Sequence, residues 1–317
     1  MTIPASSKYS IIREMTQRDN NLLNIVWLCR AAGVSRSGYY HFLETEDLRK
    51  QREENDRRDF LIILAAYQFR GYKKGARSIY MRFLHMDPAV IMNIKKIRRI
   101  MKKYGLFCPI RKANPNRRIA KALKTTNVAP NLLNREFEER GPRAVLLTDI
   151  TYIINGKAPR CYMSTIIDAC TKELLAWVLS ESFEVDFVLE TVNQLVENYG
   201  ISLSTETLIH SDQGSHYTSI SFGRLVRDSE LRQSMSRKAN CWDNAPQESF
   251  YGHMKDEIDI SWCSSFDEIY KVISDWADYY NNDRYQWDLA KLSPREYYKY
   301  RVTGEYPLTI PKPKGEK

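Results

Sequence analysis

The sequence predicts a mixed α/β domain, a sheet flanked by helices, with helical modules ahead of it. Three observations carry this reading. Apolar residues recur with a helical period up to about residue 104 and with strand-like runs from about residue 143. A basic stretch separates the two regimes: Pro88 to Asn134 holds twelve Lys or Arg and no Asp or Glu. Beyond it, three acids sit at element ends, Asp149 and Asp212 after apolar strand-like runs and Glu248 where a helix opens.

From the N-terminus, Leu22, Leu23, Ile25, Val26, Leu28 and Cys29 supply one apolar helical face, Gly33 interrupts it, and Ser35 starts a second helix through Tyr39, Tyr40 and Phe42. Helix, Ala31-Ala-Gly-Val34, helix is the pattern of a helix-turn-helix, and equally that of a plain helical hairpin. Three more helices are expected over 59–69, 76–84 and 89–104. In the last, Ile91, Ile94, Ile97, Ile100 and Met101 share one face, while Lys95, Lys96, Arg98, Arg99, Lys102 and Lys103 lie largely on the other. Such a helix suits a DNA surface, in the major groove or along phosphates. Residues 106–140 read as a basic linker or arm broken by Pro109, Pro115 and Pro130.

Antiparallel strands follow over 145–154, 161–168 and 174–179, then a helix over 185–199 with Phe187, Val188, Thr191, Val192, Leu195 and Val196 on one face. A short strand over 207–210 leads to Asp212, a helix spans 219–227, and a last strand spans 232–236. Asp243 or Asn244 can cap the next helix, and Pro246 suits its first turn, where a missing N–H leaves no bond unmade. Glu248 is thus held on a rigid element, with Lys255 seven residues on and on the same face.

Composition bounds the function. At 317 residues and 43% hydrophobic content the chain can bury a real core. No apolar run approaches a membrane span and Met1-Thr-Ile-Pro-Ala-Ser-Ser-Lys8 lacks the apolar block of a signal peptide, so a cytoplasmic protein with no membrane partner is expected. Six scattered cysteines without a Cys-x-x-Cys pair, and five histidines without His-x-x-x-His spacing, give no zinc site or disulfide framework. The net charge of +9 points to a polyanionic partner.

Singly, each acid is an ordinary turn, cap or first-turn residue. Together they are hard oxygen donors of the kind that hold divalent cations for phosphodiester chemistry. Thirty-five residues separate Asp212 from Glu248. That spacing, with Asp149-Ile-Thr-Tyr-Ile153, His210-Ser-Asp-Gln-Gly-Ser-His-Tyr217 and Asp243-Asn-Ala-Pro-Gln-Glu-Ser-Phe250, resembles bacterial insertion-sequence transposases of the IS-three family, in their second-reading-frame (OrfB) product. The resemblance extends to Cys29-Arg-Ala-Ala-Gly-Val-Ser-Arg-Ser-Gly-Tyr-Tyr40, Tyr280-Asn-Asn-Asp-Arg284 and Leu292-Ser-Pro-Arg-Glu-Tyr297.

The resemblance implies an RNase H-like core of retroviral-integrase type, and the order of elements agrees with it. It divides the chain into a helix-turn-helix module at 1–50, a second helical DNA-binding module at 51–105, the linker at 106–140, the integrase-type catalytic core at 141–300 and a tail at 301–317. It further implies a DDE transposase, a polynucleotidyl transferase that nicks 3′ ends at terminal inverted repeats and joins them to target DNA by two-metal phosphoryl transfer. Two Mg2+ or Mn2+ ions would sit on Asp149, Asp212 and Glu248. Double-stranded DNA, further copies of the chain and the upstream-frame product (OrfA) are the implied partners. Lys255, Arg237, Lys238 and Asn240 are expected against the DNA. An RNase H-like nuclease and a non-catalytic DNA-binding repressor are the competing readings.

Overall fold

The computed structural model describes residues 3–18, 23–72, 74–108, 140–154, 157–236 and 245–309. The chain divides between Leu64 and Ala65 into two compact units. The first holds α1 (Ala5–Thr16), α2 (Ile25–Ala32), α3 (Arg36–Glu44) and most of α4 (Glu46–Gln68). Its core is Ile12, Leu28, Cys29 and Tyr39. Asn24 and Ser35 cap α2 and α3 by accepting from Trp27 N and Gly38 N, and Gly33 ends α2 at a φ of 65° that a side chain would resist. The helix, turn, helix order expected at 25–44 is therefore present.

The start of α4 was hidden in the sequence. Periodicity places a helix only from residue 59, because 46–58 is almost wholly polar and shows no apolar stripe. Helix-favouring residues and pairs such as Lys50 with Glu46, 2.8 Å apart, support it instead.

The second unit opens with the end of α4, followed by α5 (Ala76–Leu84) and α6 (Ile94–Lys103). α5 has the expected bounds. α6 starts five residues later than expected, where the Asn93 side chain accepts from Lys95 N at 2.8 Å and caps it. Ile97, Ile100 and Met101 are buried, and all six expected basic side chains of α6 are exposed.

The sheet is built from β1 (Val145–Ile153), β2 (Cys161–Asp168), β3 (Leu174–Ser180), β4 (Leu208–Ser211) and β5 (Arg232–Met235), in the order β3-β2-β1-β4-β5. The first three run antiparallel; β4 and β5 run parallel to β1. α7 (Asp186–Tyr199) and α8 (Ile220–Asp228) pack with Leu146, Ile166 and Ile209 on one face. On the other face, α9 (Ala245–Glu257) and α10 (Phe266–Asn282) cover Val145, Leu147, Met163 and Leu208. Strand pleating, which sends successive side chains to opposite sides, accounts for this division of neighbours such as Leu146 and Leu147.

α10 and α11 (Pro294–Thr303) were legible only as matched words, not as elements. Both begin with capping boxes, Ser265 with Glu268 and Ser293 with Glu296. Buried Trp276 closes the core under α9.

At the far end of β1, Arg143 is 5% exposed and sits between the rings of Tyr199 and Tyr298, 4.8 and 4.3 Å from their centroids. It pairs with Glu173 at 2.7 Å and, at 3.6 Å, with Asp168, both buried. Removing this cation takes from Glu173 its nearest charge partner, leaving Arg295 at 3.7 Å, and from Asp168 the ion pair it makes. Arg143→Ala should cost about 3–5 kcal/mol of stability in urea denaturation, the range for breaking a buried ion pair.

Candidate active site

Asp149 lies in the middle of β1 and Asp212 one residue past β4. The parallel register pairs Leu147 with His210, so two residues further on each strand stand Asp149 and Asp212, on the face toward α9. Neighbouring strands lie about 4.8 Å apart. Glu248, in the first turn of α9, joins them from above the sheet.

The electrostatics record that convergence. Burial first, and then the Asp212 and Glu248 charges, push the Asp149 carboxyl up to about 7, against the opposing pull of the Ile150 N–H and Lys255. Asp212 is also raised; loss of hydration around its carboxylate is the main cause although the residue reaches the surface, and the Gly214 N–H and His216 oppose it. Gly214 N donates to Asp212 Oδ1 at 2.8 Å. A Cβ on Gly214 would itself lie 2.8 Å from that oxygen, so a side chain there would push the carboxylate from its present position.

A chain of hydroxyls seats α9 on the sheet. The Gln247 amide donates to Thr165 Oγ1, Thr165 meets the Tyr251 hydroxyl at 2.7 Å, and Tyr251 donates to the Asp149 carbonyl at 2.6 Å. One turn on, Lys255 Nζ donates to Thr151 Oγ1 at 2.6 Å. Gln247, Tyr251 and Lys255 recur every four residues, a stripe that docks along β1 and β2 and so aims Glu248. From the opposite face Tyr217 meets Thr148 at 3.4 Å, tying the Asp212 loop to β1. Burial holds both phenols protonated, far above their ordinary range.

The structure thus brings Asp149, Asp212, Glu248 and Lys255 together. Sequence reasoning missed Thr151, Thr165, Tyr217, Gln247 and Tyr251. The available signal was position, since Thr151 is two residues from Asp149 on one strand face and Tyr251 is three from Glu248 on one helix. His210 is a buried structural residue, its Nδ1 2.9 Å from Ser234 Oγ. Arg237, Lys238, Asn240 and the expected caps Asp243 and Asn244 lie outside the described residues, as does most of the linker. Among the described residues, no group of three or more Asp, Glu, His or Cys side chains stands close enough together to hold a metal ion, and no helix is long and apolar enough to cross a membrane.

Comparison with known proteins agrees with this geometry. Two family models described as Integrase core domain match residues 139–241 and 229–294, and one described as HTH-like domain matches 54–114. The Shigella sonnei insertion element IS600 uncharacterized 31 kDa protein is 29% identical, over 84% of this chain and 96% of its own length. An uncharacterized transposase-like protein of Haemophilus influenzae is 32% identical over 67% of this chain and 95% of its own. The transposase for insertion sequence element IS904 of Lactococcus lactis is 30% identical over 69% and 85%. The chain belongs to the insertion-sequence transposases. It is consistent with the IS-three resemblance, and its integrase core makes it a DDE polynucleotidyl transferase acting on DNA. The HTH-like match falls across the second helical region, including α5 and α6 of the transposase.

The raised carboxyl of Asp149 has a consequence for stability. A carboxyl whose pKa is higher folded than unfolded contributes stability below its unfolded value, near 4, and loses it as pH rises through about 7. In chelator, the melting temperature should therefore fall across that window. Asp149→Asn should flatten the fall and leave the protein about 1–3 kcal/mol more stable than wild type at pH 8, measured by thermal denaturation.

Proposed function

We propose that Asp149, Asp212 and Glu248 are the catalytic carboxylates of this transposase and that they hold its divalent cations. The supporting observation is the Asp149 carboxyl, raised to about 7 first by burial and then by the neighbouring Asp212 and Glu248 charges. Like charges enclosed together are unfavourable without a cation to neutralise them. Three hard oxygens suit Mg2+ or Mn2+, and a pair of such ions supplies charge that activates an attacking oxygen and steadies the leaving one.

The chain's own groups set the geometry. Asp149 is fixed by the sheet, Asp212 by Gly214 and Tyr217, and Glu248 by the stripe on α9. Lys255, exposed beside Thr151, stands where its ammonium can turn to a phosphate oxygen. Hydrolysis at a 3′ end and joining to target DNA are then the same in-line displacement with water or a 3′-hydroxyl as nucleophile. The ends acted on are the terminal inverted repeats of the transposase's own element, and the acting form is an assembly of several copies on DNA with the upstream-frame product. Arg237, Lys238 and Asn240 join Lys255 in contacting the substrate strand.

Asp149→Ala, Asp212→Ala and Glu248→Ala should each lower strand transfer from inverted-repeat ends at least a hundredfold while DNA binding persists. Activity should vanish in chelator and return with Mg2+ or Mn2+. Unimpaired strand transfer by all three variants would refute the assignment.

The exposed face of α6 is the proposed phosphate-tracking surface, with Lys95, Lys96, Arg98, Arg99, Lys102 and Lys103 presented away from its buried Ile97 and Ile100. Each cation that neutralises a phosphate contributes roughly 0.9 to the slope of log affinity against log salt. Replacing Lys95, Arg98 and Lys102 together by alanine should reduce that slope by about 2–3 in a salt titration of binding.

A further inference from the structure

The segment Tyr280-Asn-Asn-Asp-Arg284 takes no part in the chemistry above, yet it ends against the helix that carries Glu248. Arg284 grips Glu257, the last residue of α9. Its Nε donates to the two carboxylate oxygens at 2.9 and 3.1 Å, and its Nη2 lies 2.9 Å from Oε1. From α10, fully buried Trp276 donates through Nε1 to Glu257 Oε2 at 3.0 Å. The Arg284 and Glu257 side chains are 15% and 14% exposed, so this is an enclosed pair rather than a surface one.

The grip supplies a hold on α9 that its other contacts lack. Gln247, Tyr251 and Lys255 attach the helix along one line, and a rod fastened along one line can still roll about it. Glu257 is about two and a half turns beyond Glu248 and so leaves the helix on the opposite side. Phe250, on the side of Glu257, packs edge-on against Trp276 at 5.4 Å and Tyr280 at 4.9 Å. Apolar contacts of this kind are non-directional and tolerate sliding, whereas a carboxylate held by a planar fork does not. A roll of about 10° moves a side-chain tip about 6 Å from the axis by about 1 Å. Misplacement on that scale costs a reaction about a hundredfold.

Arg284 is itself braced. Its main-chain N–H donates to the Tyr279 carbonyl at 2.8 Å, and the neighbouring Asp283 pairs with Arg70 at 2.9 Å. Lys74 and Arg82 line a cavity of about 50 Å³ together with Glu257, Asp283 and Arg284. Three cations face two carboxylates there, so the carboxylate that α9 contributes is held by charge from the segments after α10 and before and within α5.

We propose that Glu257 and Arg284 are positioning residues whose pairing stops α9 from rolling and so sets where Glu248 stands. The proposal rests on the assignment of Glu248 as a catalytic carboxylate.

The test uses the full-length protein with Glu257→Gln, Arg284→Lys and the two combined. Glu257→Gln keeps the side chain's shape and an acceptor for Trp276, and Arg284→Lys keeps the charge without the fork. Each single variant should slow strand transfer at saturating DNA by about ten- to a hundredfold with DNA affinity unchanged. The double variant should be no slower than the slower single, as expected when both changes remove one shared contact. Thermal denaturation gives a readout free of turnover. Mn2+ should raise the melting temperature of wild type, and with Glu248 misaimed that rise should shrink to roughly half or less. A pair that served the fold alone would lower the melting temperature equally with and without Mn2+.

Undiminished strand transfer in both single variants, or a rise with Mn2+ equal to that of wild type, would overturn the proposal. Glu248→Ala separates the two readings. Strand transfer lost there but kept in Glu257→Gln refutes the positioning role and leaves the acid assignment standing. Strand transfer that survives Glu248→Ala removes the acid assignment, and the positioning role with it.

Discussion

Everything in the core answers to one constraint: carboxylates that repel one another must be kept close and partly dehydrated. Asp149 cannot retreat, because its strand is central and bonded on both sides. Asp212 is kept beside it by a parallel register and by the bond its carboxylate accepts from Gly214 N. Folding therefore stores electrostatic work at this spot, offset elsewhere by apolar burial on both sheet faces. A cation relieves that work, which links ion binding, protonation and stability in a single balance.

The supporting groups follow from the same need. A helix bearing the third acid must approach β1 closely without placing another charge there, and neutral hydroxyls accomplish it. Thr165 and Tyr251 satisfy one another and the Asp149 carbonyl at no cost in charge. Two phenols, Tyr217 and Tyr251, reach β1 from opposite faces and fasten the elements that carry the outer acids. The cationic hub at Arg143 lies at the other end of the strand, where it ties β2, β3 and the helix ends without disturbing the acids' potential.

The second unit also holds its helical portion by polar contacts. Arg70 pairs with Asp278 and Asp283, and His85 stacks on Tyr285 while meeting Glu296 at 3.2 Å. Lys74, buried, donates to the carbonyls of Phe69 and Tyr72, and burial pulls its ammonium down to about 8. The six basic side chains of α6 are exposed beside these contacts.

Much was legible in the sequence for a physical reason. Strand and helix periods depend on local alternation, and β2 and α5 matched to the residue because their apolar patterns are clean and their ends are marked. The acids were legible because their spacing and neighbouring words are local. What escaped was either patternless or distant: α4 begins in a polar segment without a stripe, and Thr165 serves α9 from a strand more than eighty residues away. The sequence by itself determined which elements form and which acids stand at their ends. Only the tertiary structure decided that the Asp149 and Asp212 carboxylates share one face at one level. Register, pleat and the docking of α9 are set by packing among segments far apart in the chain, and no local pattern encodes that distance.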